Sequence, residues 1–183
     1  MRINTTGKLT LAALMCALTA VLAQIQVPLP PVPINLALLG VHLCGCLLGW
    51  RMGAAAMAAY ALLGAAGLPV LAGFSGGPAV AFGPTGGFII GYILAAGVEG
   101  LLLRRVPFAA RTLAAAMLLG TTVCYGCGLA WFMITTGSTL PSALAVCVLP
   151  FLPGDAIKIL VAVKLCLRLQ KPLRTMGLGP ESP

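Results

Sequence analysis

The sequence predicts an all-α membrane protein with six transmembrane helices, and three observations predict it. Residues 9–50, 52–98 and 112–154 contain no Asp, Glu, Lys or Arg, so none of these stretches is solvated surface. The 183 residues are 60% hydrophobic and 8% charged, with a mean hydropathy of +1.08, whereas a soluble domain carries about 25% charged residues. Finally, the basic residues recur at alternate junctions between apolar runs. At roughly 20 apolar residues per span, the length allows about six spans and no separate soluble domain, so 1–183 reads as a single integral membrane domain.

The first predicted span covers residues 9–25. It follows a basic start, as a signal peptide would, but it is long for a signal core and no polar mature domain follows, which favours a retained helix. Val27-Pro28-Leu29-Pro30-Pro31-Val32-Pro33 is then an external crossing loop, because proline lacks an N–H and disfavours helical geometry just before it. Spans follow at 34–48 and 53–64, joined by the turn Gly49-Trp50-Arg51. Residues 64–87 hold eight glycines plus Pro69, Pro78 and Pro84. This segment is irregular yet apolar, so it is expected to pack on protein or line a cavity, as a Gly-rich external loop between the third and fourth helices. Further spans are predicted at 85–103, 108–134 and 154–169, with a short interfacial helix over 141–149 and breaks at Pro150 and Pro153.

Six spans place Arg2, Lys8, Arg51, Arg104, Arg105, Arg111, Lys164, Arg168, Lys171 and Arg174 on one side, the cytoplasm by the positive-inside rule. Both termini are then cytoplasmic. The net charge of +8 does not imply nucleic-acid binding, because the basic residues are dispersed between apolar runs rather than gathered on one face.

Seven cysteines lie inside apolar runs and read as small packing residues. Cys124-Tyr125-Gly126-Cys127 is a C-x-x-C, but mid-membrane burial disfavours thiolates, and a metal site needs further ligands. Gly7-Lys8-Leu9 is not a phosphate loop. No cofactor, metal or catalytic residue is predicted. Glu99 reads as an interfacial carboxylate near Arg104 and Arg105, and His42 as a packed, hydrogen-bonded histidine.

One basic residue remains. Lys158 sits three residues after Asp155, on one helix face, at the outer end of the last span. An ionisable pair at membrane depth is expensive and faces a cavity or a partner. Asp155 suits a helix N-terminus but Lys158 opposes the dipole there, so capping alone does not explain the pair. An acceptor beside a donor matches a small group carrying both N–H and C=O, such as a urea or an amide. Asn35, Ser75, Thr85 and the backbone of the glycine segment are the other outer polar groups.

Four stretches resemble the BioY family. They are Val27-Pro28-Leu29-Pro30-Pro31-Val32-Pro33-Ile34, Gly64-Ala65-Ala66-Gly67-Leu68-Pro69-Val70, Gly73-Phe74-Ser75-Gly76-Gly77 and Phe82-Gly83-Pro84-Thr85-Gly86-Gly87-Phe88. Asp155-x-x-Lys158 fits as well, and the resemblance runs over essentially the whole chain. That family comprises biotin-specific substrate-capture (S) components of energy-coupling-factor transporters of the bacterial cytoplasmic membrane. The resemblance implies a six-helix fold, biotin contacted by Asp155 and Lys158, and a loop of Gly73, Phe74, Ser75 and Gly76 covering it. It also implies a membrane coupling subunit and two ATPase subunits as partners, with Ala13 and Ala17 of the first helix facing the coupling subunit. Where the family commonly has Thr-Leu-Gln after Pro-Ile, this chain has Asn35, Leu36 and Ala37. No outer arginine stands ready for the biotin carboxylate. Two other readings are the same fold with another small vitamin, and an intramembrane thiol oxidoreductase using Cys124 and Cys127.

Overall fold

The structure, a computed structural model, describes residues 5–27 and 32–179. Its elements in order are α1 (Thr5–Gln24), β1 (Gln26–Val27), β2 (Ile34–Asn35), α2 (Ala37–Ala65), a 3₁₀ turn (Ala72–Phe74), α3 (Pro78–Ala81), α4 (Gly86–Leu103), α5 (Ala110–Thr136), α6 (Leu140–Cys147) and α7 (Leu152–Thr175). Among the described residues, α1, α2, α4 and α5 are long and apolar enough to cross a membrane. A fifth span is reached when α6 and α7, bent by 51°, count as one. The all-α membrane class stands. Exposed side chains such as Leu14, Val21, Leu118 and Leu160 give the helices the apolar outer faces a bilayer requires.

Helix α2 is two arms rather than one rod. Gly49 interrupts it at φ 76, ψ 176, a conformation essentially confined to glycine. A Cβ on Gly53 would lie 2.7 Å from the Cys44 carbonyl oxygen, whereas residues nine apart in an unbroken helix are about 13.5 Å apart. The chain therefore reverses at Gly49, and arms 37–48 and 50–65 pack side by side. This matches the turn expected at Gly49-Trp50-Arg51.

Several boundaries differ from expectation. Ile34 and Asn35 were expected in a helix but form β2, paired antiparallel with β1 in the register Gln26↔Asn35 and Val27↔Ile34. Asn35 Oδ1 accepts the Ala37 N–H at 2.9 Å, so helix α2 can start only after it. The expected crossing loop is thus flanked by a two-stranded ribbon; its residues Pro28, Leu29, Pro30 and Pro31, like Arg2, lie outside the described residues. Lys8 sits in the first turn of α1, not ahead of the helix. Pro153 does not break the last helix but lies in its first turn, where a missing N–H costs nothing. The glycine segment is not a featureless loop: it carries the 3₁₀ turn, a Leu71↔Ser75 bridge and the short helix α3.

Helix α4 packs between α2 and α5, and α1 covers α2. At the centre, His42 Nδ1 lies 2.7 Å from Glu99 Oε1, with both side chains fully buried. The Cys46 thiol donates to Glu99 Oε2 at 3.7 Å. Glu99 is therefore not the interfacial carboxylate expected from its closeness to Arg104 in sequence. Its face of α4 is sealed between neighbouring helices, and Gly120 on α5 and Gly45 on α2 leave the space its carboxylate fills.

Candidate functional site

A cavity of about 250 Å³ opens where the N-terminal ends of α4 and α7 meet α2, α5 and the glycine segment. Its apolar wall comes from Leu38 and Tyr60 on the two arms of α2, Leu71, Val80, Phe88, Tyr92 and Phe151. The Tyr60 and Tyr92 rings lie 6.5 Å apart at 40°. A small hollow lined by aromatic side chains with a few convergent polar groups is the usual form of a small-molecule site.

The polar groups are Asp155 and Lys158, in the first two turns of α7. Both are buried, 3% and 5% exposed, and both line the cavity. Lys158 Nζ donates to Asp155 Oδ1 at 2.7 Å, and the Tyr125 hydroxyl donates to Asp155 Oδ2. Each carboxylate oxygen thus has one protein donor and a free lone pair. The ammonium keeps further N–H donors. Removing both charges from water is costly, and the pairing offsets that cost before any ligand arrives.

Of the other residues singled out in the sequence, Asn35, Ser75 and Thr85 line the same cavity. Ser75 Oγ donates to the Ala72 carbonyl at 2.8 Å. Gly73, Phe74 and Gly76 belong to the adjoining loop but are not part of the wall; Phe74 has φ 55 and is 71% exposed. Ala13 and Ala17 are exposed on the outer face of α1, away from the cavity. Cys124 lines the wall and donates to the Phe88 carbonyl at 3.9 Å, and it and Cys127 are free thiols.

Sequence reasoning missed the tyrosines. The chain has three, and Tyr60, Tyr92 and Tyr125 all line the cavity. Their scarcity was a usable signal, since a phenol inside a span needs a partner for its hydroxyl. Gln24, also missed, holds the glycine segment. Its Nε2 donates to the carbonyls of Val70 at 3.3 Å and Leu71 at 3.1 Å, and its Oε1 accepts the Phe74 N–H at 2.7 Å. Gln24→Ala removes all three links while leaving the cavity wall intact. At about 1 kcal/mol per lost bond, about 3 kcal/mol in all, limited proteolysis within residues 67–77 should accelerate by about two orders of magnitude; an unchanged cleavage rate would mean the loop is held elsewhere.

Three comparisons bear on the family of this chain. The model of the BioY family matches residues 1–175. The chain is 40% identical over 163 residues to the probable biotin transporter BioY of Pyrococcus horikoshii, covering 89% of this chain and 96% of that one. It is 41% identical over 160 residues to the biotin transporter BioY of Thermotoga maritima, covering 87% and 94%. Its fold superposes with a TM-score of 0.85 and 30% identity on a crystal structure of the S-component for biotin from an ECF-type ABC transporter, over 93% of this chain and 94% of that chain.

Proposed function

Because this chain belongs to the BioY family, we propose that it is the biotin-capturing S component of an ECF-type uptake transporter, a transport subunit and not an enzyme. The observation that carries this reading is the buried Asp155–Lys158 pair in the wall of an otherwise apolar cavity. Biotin's ureido ring has two N–H groups and one C=O. Asp155 accepts from an N–H, and Lys158 donates to the C=O. The fused rings lie among Phe88, Tyr92, Tyr60 and Phe151. Asn35, Ser75 and Thr85 supply polar contacts at the rim, and the loop of Gly73, Phe74 and Gly76 folds over the bound vitamin. The carboxylate end points outward to rim hydroxyls and backbone N–H groups.

Counting the two arms of α2 separately beside α1, α4, α5 and α7 supports a six-pass arrangement. The basic ends of these helices then share one side, which supports cytoplasmic termini in a bacterial inner membrane. Ala13 and Ala17 leave a shallow exposed strip on α1 where a coupling-subunit helix approaches closely. That subunit and two ATPase subunits complete the transporter and provide the energy.

The test is equilibrium binding of labelled biotin to the detergent-purified chain, with unlabelled biotin, thiamine and riboflavin as competitors. Biotin alone should displace the label at stoichiometric concentrations. Displacement by thiamine or riboflavin at similar concentrations would defeat the assignment of cargo.

A further inference from the structure

A second cavity, of about 200 Å³, lies at the other end of α4. The biotin pocket reaches no further along that helix than Tyr92. The second cavity begins at Gly100, eight residues or about 12 Å beyond. Its charged wall residues come from three places far apart in sequence: Lys8 on α1, Arg51 at the reversal of α2 and Arg104 at the end of α4. Among the described residues no carboxylate lines it. The described residues contain two carboxylates, Glu99 and Asp155, and both are bonded elsewhere, to His42 and to Lys158 with Tyr125. Neither Arg51 nor Arg104 therefore pairs with an internal anion among the described residues.

Arg51 is also held in place. The Trp50 backbone sits where a Cβ on Gly100 would be, so the α2 reversal is pressed against α4. The Arg51 guanidinium lies over the Trp50 ring, 4.8 Å from its centroid. Stacking fixes the plane of the group but leaves its edge N–H donors free, a geometry that suits bidentate contact with a tetrahedral oxyanion. Beside the cavity, Leu101 and Leu102 on α4 are 47% and 38% exposed, giving apolar surface next to the cationic mouth at a helix end.

We propose that this cavity binds the phosphate group of an anionic phospholipid, with Arg51 and Arg104 on the phosphate oxygens and the acyl chains along Leu101 and Leu102. The same chemistry would accept free phosphate, so the test separates the two sources. Full-length protein in detergent is titrated with dioleoyl phosphatidylglycerol or dioleoyl phosphatidylcholine and read by native mass spectrometry, with and without millimolar inorganic phosphate. One saturable site for phosphatidylglycerol is expected. Arg51→Gln with Arg104→Gln should weaken it roughly 30-fold, at about one kcal/mol per cation, whereas Arg111→Gln with Lys164→Gln, two exposed positions outside the cavity wall, should not. Retained biotin binding in both double variants establishes that they fold. The proposal is overturned if phosphatidylcholine binds equally well, if the two double variants lose lipid equally, or if inorganic phosphate alone saturates the site at concentrations that displace the lipid.

Discussion

Asp155→Asn and Lys158→Ala are each expected to weaken biotin binding by about two orders of magnitude, without unfolding the protein. The size follows from two losses at one place. In Lys158→Ala the ureido carbonyl loses a charged donor, worth about 1.5–3 kcal/mol, and Asp155 is left 3% exposed with the Tyr125 hydroxyl as its one remaining side-chain donor. In Asp155→Asn the ammonium is the stranded group, and the amide presents one acceptor atom where the carboxylate presented two. Tyr125→Phe removes a single donor to Oδ2 and should cost about tenfold. Calorimetric titration with biotin checks the series, and gel filtration confirms folding. Unchanged affinity in both charge variants would remove the pair from the binding site.

The largest stability effect is expected far from the pocket, at Glu99. Glu99→Ala leaves His42 Nδ1 without a partner at a site with no access to water. The second ring nitrogen, Nε2, already has no hydrogen-bond partner among the described residues. Breaking a buried pair by removing one member costs about 3 kcal/mol or more, which for a chain of this size is a fall in midpoint temperature of roughly 10 °C. Glu99→Gln, which keeps the shape and one acceptor, should lose far less. His42→Leu combined with Glu99→Leu should be more stable than Glu99→Leu alone, because it no longer strands the imidazole; the Cys46 thiol loses its acceptor in both. A double variant less stable than the single would show that the cost lies in packing and not in the hydrogen bond. Thermal unfolding in detergent separates these outcomes.

What the sequence revealed, and what it hid, divides along physical lines. Uncharged intervals and the positions of Arg51 and Arg104 were enough for the membrane class and for the reversal at Gly49, since both depend on local composition. Asp155 and Lys158 were legible because a charge pair at the end of an apolar span has few bland explanations. Glu99 was misjudged because its partner is not one of the arginines near it in sequence, Arg104 or Arg105, but His42, which reaches it from 57 positions away. Tyr60, Tyr92 and Tyr125 were overlooked because each alone reads as an ordinary core residue, and convergence on one cavity is a property of the tertiary fold. Ile34 and Asn35 were drawn into a helix because two residues of ribbon carry no periodic signature.

The reversal at Gly49 has a consequence for the lipid around it. Under the six-pass arrangement, arms 37–48 and 50–65 rise about 18 and 24 Å at 1.5 Å per residue, against a hydrocarbon slab of roughly 30 Å. Arm 37–48 is buried along almost its whole length, but the lipid-facing arm 50–65 is shorter than that thickness, so acyl chains beside it must shorten or headgroups must dip, at a fraction of a kcal/mol per ångström. The protein should accordingly partition toward thinner bilayers, and a vitamin leaving this flank would have less oil to cross than one leaving the flank formed by α5.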